Sequence, residues 1–236
     1  MTQKAKKRWQ WLYILAGGVL LGWLFGKVFG KQARFPFLLP VQKALAAKYG
    51  EVEAAFLAGQ IQQRYERLVL QRPRFKNRRS QLHVDQLVVP ALALYQILLE
   101  KIGDRTQAVT EVQEVLFCGP VGKVARVAGL LKIVPGSHSV LRRVVRLANR
   151  IAFSGAGFDI RYTADDDQAV AFDIHRCLYL DVLTGYGAPE LTPVFCYFDD
   201  YIAKFFPDEI TWKRQSTLGR GGPYCDFCYA RTEKKA

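Results

Sequence analysis

Apolar residues recur every three or four positions through much of the first two thirds of the chain. This spacing is typical of helices that bury one face, and it runs from residue 41 to residue 70 with a break at Gly50. The same spacing predicts four more helices, over residues 89–102, 105–117, 121–131 and 141–153.

After Gly155 the period of the apolar pattern falls to two. Residues 158–162 and 170–174 alternate apolar and polar side chains on either side of an acidic, turn-like stretch, which predicts a β-hairpin. Two helices are predicted to follow, one from residue 176 to Gly185 or Gly187 and one over residues 191–205, and then two strands over residues 210–218 and 223–231. The pattern predicts an α+β fold: a helical region, then a C-terminal antiparallel sheet with two inserted helices.

The N-terminal segment has the length and composition of a membrane helix. No residue between Arg8 and Lys27 is charged, and a helix over residues 9–30 is about 30 Å long, which matches a bilayer core. A cleaved secretory signal is the alternative, because the basic start resembles an n-region, but no A-x-A-like site follows the apolar run. We therefore expect a single-pass anchor in contact with membrane lipid.

Glycines recur every four residues along this predicted membrane helix. They form one stripe that would let a partner helix approach closely, or they reflect only the frequency of glycine in membrane helices. The stripe consists of Gly18, Gly22, Gly26 and Gly30.

Two signals disagree on the orientation of the predicted anchor. Basic residues flank both of its ends, with a weak bias toward a cytoplasmic N-terminus. The five cysteines are an odd number scattered through a chain too large to need disulfides, which favours a reducing compartment. We give the thiols more weight and expect the C-terminal domain to lie in the cytoplasm.

The formal charge of +13 is concentrated in the first 80 residues. Such placement fits anionic headgroups or solubility, since the basic residues lack interleaved aromatic platforms and any recognisable reading motif. We expect no nucleic-acid partner.

Thiols and carboxylates recur at helical spacing in the C-terminal third. Cys196, Asp199 and Asp200 stand at i, i+3 and i+4 on a predicted helix, and Cys177 and Asp181 repeat the i, i+4 arrangement. A neighbouring carboxylate raises the pKa of a thiol, so chemistry would need a cation as well. The candidate cations are His175, Arg176, Arg214 and Arg220. The alternative is that these are small cysteines on the core faces of short helices.

Cys225 and Cys228 form a C-x-x-C pair within a predicted strand. Alternation along a strand would place the two thiols on opposite faces. Zinc would need a tight knuckle and two further ligands, and the remaining candidates, Cys177 and Cys196, have 18 residues between them. A redox couple would need a following helix N-terminus to lower a thiol pKa. We expect no cofactor, with zinc left open.

The C-terminal third carries an ordered series of motifs: R-C at 176–177, G-x-P-E-L at 187–191, C-x-x-D at 196–199, R-x-x-T-L at 214–218 and G-x-x-x-C-D-F at 221–227. This series resembles the L-2-amino-thiazoline-4-carboxylic acid hydrolase family. Residues 93–108 resemble the family's helical part more loosely. The resemblance gives three regions: a basic tail and anchor at 1–34, a helical linker region at 35–84, and the family-like domain at 85–236.

The resemblance implies hydrolysis of a small cyclic isothiourea to N-carbamoyl-L-cysteine. The family's pattern uses Cys177, Cys196, Asp199 and Cys225, which leaves Cys228 outside it. Chemically, Asp199 would act as the base and Cys196 or Cys177 as nucleophile or proton donor. Three residues would bind the substrate, with the first anchoring its carboxylate: Arg214, Arg176 and His175.

A non-catalytic function is the alternative. The G-x-x-x-C-x-F ending is also similar to small-molecule-binding domains related to vinyl reductases. On that interpretation the pocket binds a small ligand, or the sheet docks a partner in a membrane complex.

Overall fold

The computed structural model describes residues 35–232, with the side chains of Lys123, Val124 and Val127 left aside. The predicted membrane helix and its glycine stripe lie outside these described residues. The described region starts at the link that precedes the first predicted helix.

Two antiparallel helices open the described region, α1 (Leu38–Tyr49) and α2 (Glu51–Gln71). Gly50 separates them with φ +81°, a value that favours glycine, and this confirms the predicted break. Glu51 and Glu53 lie in the first turn of α2, where carboxylates interact favourably with the helix dipole.

The next helical unit is the central one in the core. It consists of α3 (Arg78–His83), a π-helical turn (Val84–Val88) and α4 (Val89–Ile102). Asn77 begins it by accepting a hydrogen bond from the Arg79 amide, and Gly103 ends it in the left-handed conformation. Within residues 35–232 this unit, Arg78–Ile102, is the one helix long and apolar enough to cross a membrane, but 67% of its apolar window is buried inside the fold. That degree of burial is typical of a core helix.

A second group of helices leads to the sheet. Asp104 begins α5 by accepting a hydrogen bond from the Gln107 amide. The group consists of α5 (Arg105–Leu116), a π-helical turn (Phe117–Val121), α6 (Gly122–Ala128), a 3₁₀ turn (Gly129–Ile133), α7 (Ser137–Ala148) and a further π-helical turn (Asn149–Phe153).

Four antiparallel strands form the sheet, in the spatial order β1-β2-β4-β3. The strands are β1 (Asp159–Asp165), β2 (Ala169–Arg176), β3 (Ile210–Lys213) and β4 (Cys225–Arg231). Between β2 and β3 the chain forms α8 (Leu178–Gly185), a 3₁₀ turn (Pro189–Leu191) and α9 (Thr192–Ala203). The predicted α+β class, late antiparallel sheet and two inserted helices are confirmed.

The strand predicted over 210–218 is wrong in its second half, because β3 ends at Lys213. The backbone amides of Gln215 and Ser216 donate to the carboxylate of Asp226 instead of continuing the ladder. A 3₁₀ turn (Leu218–Arg220) then replaces the rest of the predicted strand.

The core has two parts, which meet at the sheet. The larger part packs α1 and α2 against α4 and α8, and buries Val41, Leu45 and Ile61 completely. The smaller part lies between α7 and the sheet, where the rings of Phe172 and Phe227 stack with centroids 4.8 Å apart. The region before residue 85 therefore shares its core with the region after it.

Candidate functional site

A buried arginine joins α9 to the end of β3. The side chain of Arg214 is only 2% exposed, and its Nη1 donates to Asp199 Oδ2 at 3.2 Å. Its Nη2 donates to Asp200 Oδ2 at 2.5 Å and to the backbone carbonyl of Cys196. One guanidinium therefore holds both carboxylates beside the turn of α9 that carries Cys196. Charge-assisted hydrogen bonds of this kind are stronger than those between neutral groups.

Aromatic rings hold this guanidinium in place. The Arg214 Cζ lies 5.4 Å from the ring centroids of both Trp212 and Phe227, within the range of cation–π attraction. The indole N–H of Trp212 also donates to Asp200 Oδ1 at 3.0 Å. Asp200 is thus bound through both oxygens, whereas Asp199 Oδ1 accepts no hydrogen bond from another described side chain.

Asp199 is the carboxylate available for chemistry. Its side chain is 31% exposed, and yet desolvation of the carboxyl group raises its pKa to about 6, with Arg214 opposing the shift. A group with this pKa changes its protonation state near neutral pH, as a general base does.

The 3₁₀ turn Leu218–Arg220 reaches two of the cysteines. The backbone N–H of Leu218 donates to Cys225 Sγ at 3.2 Å. Burial raises the pKa of Cys196, and the Gly219 N–H is one of the groups that oppose this shift. There is no room for a side chain at Gly219, since a Cβ there would lie 2.8 Å from Cys196 Sγ. This close approach explains why glycine occupies the turn.

Asp226, next to Cys225, fixes the path of this turn. Its carboxylate accepts hydrogen bonds from the Gln215 amide at 2.9 Å and the Ser216 amide at 2.6 Å. The C-D-F and R-x-x-T-L motifs are therefore parts of one structure, in which Asp226 shapes the loop that carries the amide donors to the thiols.

Cys177 approaches the site from the other inserted helix. It is the residue that precedes α8, directly after β2. Burial raises the pKa of Cys177 to about 11. The backbone N–H groups of Tyr179 and Leu180 oppose this shift, although the Cys177 side chain forms no capping hydrogen bond at the start of α8.

The three family cysteines share one environment. An ionised Cys196 would raise the pKa of both Cys177 and Cys225, and the 3₁₀ turn contacts Cys196 and Cys225 directly. Burial raises the pKa of Cys225 to about 12 and also raises the pKa of Cys196, which is 9% exposed. All three thiols are therefore protonated at neutral pH.

Two of the predicted substrate-binding residues form other contacts in the structure. The ring of His175 lies against Tyr224, with centroids 5.5 Å apart. Arg176 forms an exposed ion pair with Asp181 at 2.8 Å, at the edge of an open depression of about 390 Å³. Their roles in substrate binding stay predictions.

A half-buried tyrosine and a buried histidine adjoin the site, and sequence reasoning missed them. Desolvation raises the pKa of Tyr179, with the charges of Cys177 and Asp199 acting in the same direction, and its hydroxyl lies 2.8 Å from His83 Nδ1. His83 Nε2 lies 3.1 Å from the Ala152 carbonyl, so Nε2 carries the proton and Nδ1 accepts from the tyrosine. His83 is 96 residues from Tyr179 in sequence, and no local pattern pointed to the pair.

The Thr192 hydroxyl beside Cys196 is buried without a hydrogen-bond partner among the described residues. The methyl group of Thr192 lies against the same face of Gly219 as Cys196 Sγ. A bound polar group could satisfy this hydroxyl, whose burial without a partner is costly.

The C-x-x-C pair diverges in the structure. Cys225 lies on the buried face of β4, whereas Cys228 lies on the other face, opposite Ala171 and Lys213. Within residues 35–232, no group of three or more His, Cys, Asp or Glu side chains is arranged to hold a metal ion.

Comparison with known proteins identifies the family of the chain. The family model described as L-2-amino-thiazoline-4-carboxylic acid hydrolase matches residues 82–229. No curated protein and no solved structure matches the chain. The matched range includes α9, the 3₁₀ turn, the three clustered cysteines and His83.

Proposed function

The chain belongs to the L-2-amino-thiazoline-4-carboxylic acid hydrolase family, and we propose that it opens a small cyclic isothiourea or amidine to an N-carbamoyl product. The observation that carries this proposal is the position of Asp199, which is partly exposed, shifted to a pKa of about 6, and held by Arg214 beside Cys196. This arrangement supplies a base and thiol acids at one place.

Asp199 is the general base in the proposed reaction. At neutral pH the carboxylate is mostly ionised and takes a proton from water as the water oxygen bonds to the ring carbon between nitrogen and sulfur. Arg214 donates a hydrogen bond to Oδ2 of Asp199, so Oδ1 is the oxygen that takes the proton from water. Asp200 does not serve as the base, because both of its oxygens have partners.

A cysteine thiol is the proton donor for the leaving sulfur. The raised pKa values of Cys177, Cys196 and Cys225 make these groups neutral acids and poor thiolate nucleophiles. When the ring C–S bond breaks, its electron pair stays on sulfur, and the thiol proton passes to that sulfur. Asp199 passes the proton it took from water to the ring nitrogen, and the hydroxyl proton of the tetrahedral intermediate returns to the cysteine as the C=O bond forms, so the net reaction consumes one water.

The cation for a substrate carboxylate is a separate question. The terminal nitrogens of Arg214, the sequence-based candidate, are already shared between two aspartates, and its side chain is buried. Arg220 on the 3₁₀ turn is 53% exposed and 3.6 Å from Asp200, so it can reach solvent and the site edge. We assign the substrate carboxylate to Arg220 and the positioning of Asp199 to Arg214.

The proposed enzyme is tethered to a membrane by the segment before residue 31. The support is the uncharged run between Arg8 and Lys27 and its basic flanks. We propose that the domain faces the cytoplasm, because five cysteines suit a reducing compartment. The tether would hold hydrolysis near a membrane source of the substrate.

Product formation from 2-amino-thiazoline-4-carboxylate by the purified full chain tests the proposal. We expect N-carbamoyl-cysteine to accumulate, and Asp199→Asn to lower kcat by about 10²-fold or more, within the usual range for loss of a general base. Asp167→Asn is the matched control, since that aspartate is 88% exposed and pairs with Arg142 away from the candidate site, and it should keep wild-type turnover. Equal turnover by the wild type and Asp199→Asn would refute the assigned base.

A non-catalytic binding module is the second candidate, favoured by the burial of the thiols. Cys196 and Cys225 are each less than a tenth exposed, as core cysteines are. This candidate predicts that the thiazoline binds to the full chain and is released unchanged. Binding without product, in a preparation that is folded, would select it over the hydrolase.

A further inference from the structure

Two segments far apart in sequence form one basic surface. The Asn77 side-chain amide donates to the Gly155 carbonyl, and Arg79 Nη1 donates to the carbonyls of Arg150 at 3.2 Å and Ser154 at 2.9 Å. These contacts place the start of α3 against the end of α7 and its following π-helical turn. The arginines of both segments therefore lie side by side.

Large apolar side chains are exposed among these arginines. Leu147 is 44% exposed and Ile151 is 57% exposed. Arg143, Leu147 and Ile151 follow one another at i, i+4 and i+8, so they lie along one face of the helix. We call this the basic–apolar surface, which consists of Arg78, Arg79, Arg143, Leu147, Arg150 and Ile151.

The charges of this surface are uncompensated. Its four arginines form no ion pair with any carboxylate within residues 35–232, and Arg79 bonds only to backbone carbonyls. The aspartates of the neighbouring strand already have partners: Asp159 pairs with Arg161, and Asp165 pairs with Arg142 and Arg146. The surface is thus a net cation with an apolar centre.

We propose that the basic–apolar surface docks on a bilayer that contains anionic lipid. Guanidinium groups are attracted to anionic headgroups, and exposed leucine and isoleucine gain by entering the boundary between headgroups and acyl chains. Nucleic acid would use the arginines but would leave both aliphatic side chains without a partner. None of the six residues of this surface belongs to the candidate site, although His83 of α3 joins the two through its contacts with Ala152 and Tyr179.

Local hydrogen exchange in the full chain tests the docking. Uptake of deuterium by residues 143–153 is compared in zwitterionic phosphatidylcholine vesicles and in vesicles that also contain phosphatidylglycerol. We expect the deuterium uptake of this segment to be at least about twofold lower with the anionic vesicles than with the zwitterionic ones, because docking reduces its local opening. The difference should disappear at high salt, where surface charges are screened.

Charge reversal provides the matched comparison. Arg78→Glu together with Arg150→Glu should abolish the difference, whereas Lys43→Glu with Arg67→Glu changes the charge equally on exposed positions of α1 and α2 and should preserve it. Equal uptake in the two kinds of vesicle overturns the proposal. Protection produced by a nucleic-acid oligonucleotide, and not by anionic vesicles, would overturn it as well.

Discussion

The central residue of the site is an arginine that serves two aspartates. Asp199 and Asp200 are adjacent in sequence, and both approach one guanidinium that is almost completely buried. Two carboxylates this close to each other would repel each other, and the positive charge of Arg214 offsets that repulsion. Because Asp200 also binds Trp212, the pair divides into one fixed anion and one base.

Arg214→Met should strongly destabilise the fold. Removing one partner of a buried ionic cluster leaves carboxylates without compensation, at a cost of about 3–5 kcal/mol in the free energy of unfolding. Denaturant unfolding at pH 8 measures this loss. Arg176→Met is the control, because its pair with Asp181 is exposed and should contribute only about 0–1 kcal/mol. Similar small losses in both variants would contradict the structural role of Arg214.

At the residue scale, the sequence was sufficient to predict that Cys196, Asp199 and Asp200 share one face of a helix. It was not sufficient to predict that Arg214 is the cation that binds both aspartates. Helical periodicity fixes which side chains share a face of α9, so i, i+3 and i+4 spacing was sufficient. Arg214 stood as one of four candidate cations, and its burial depends on the rings of Trp212 and Phe227, which approach only when the sheet has formed.

At the scale of elements, the 3₁₀ turn between β3 and β4 organises the site. It brings amide donors from Leu218 and Gly219 to two cysteines, and Asp226 holds its entry. Alternation alone predicted a strand over 210–218. Alternation does not indicate that the Asp226 carboxylate, ten or eleven residues further along the chain, accepts the hydrogen bonds of the Gln215 and Ser216 amides, which are then lost to the sheet.

Gly219→Ala should disturb this turn. The new Cβ would lie 2.8 Å from Cys196 Sγ and 2.9 Å from Thr192 Cγ2, so the turn must shift, at a cost of about 1–3 kcal/mol in the free energy of unfolding. We expect kcat/KM to fall by about tenfold or more through misplacement of the thiol. Steady-state kinetics with thermal denaturation measures both effects.

Gly185→Ala is the matched control for that substitution. A Cβ at Gly185 meets no atom within 4 Å, so stability should change by less than about 0.5 kcal/mol. If Gly219→Ala behaved like Gly185→Ala in both assays, the close packing of the turn against Cys196 would not matter for function.

At the scale of the whole molecule, α1 and α2 belong to the same core as the family region. The family match begins at residue 82, but Leu57, Ile61 and Leu68 of α2 are buried in the larger core. The sequence predicted helices here correctly and offered no sign of what they pack against. An amphipathic pattern shows which face is buried and not the identity of its partner.

A fragment of residues 82–232 should therefore fail to fold cooperatively. Each buried leucine or isoleucine of α2 contributes about 1.5–3 kcal/mol, and the sum is comparable to the stability of a typical domain. We expect no sharp thermal transition and strong binding of a hydrophobic dye. A fragment of residues 35–232 is the control and should melt cooperatively. A sharp transition in the shorter fragment would show that α1 and α2 are dispensable.

The pH dependence of kcat/KM for the thiazoline tests the role of Asp199 most directly. The base must be ionised, and burial raises its pKa to about 6, so activity should rise with pH through a midpoint near 6 and be largely lost below pH 5. In Asp199→Asn the residual activity should show no such midpoint. A wild-type profile that is flat from pH 5 to 8, or a midpoint that persists in Asp199→Asn, would contradict the account.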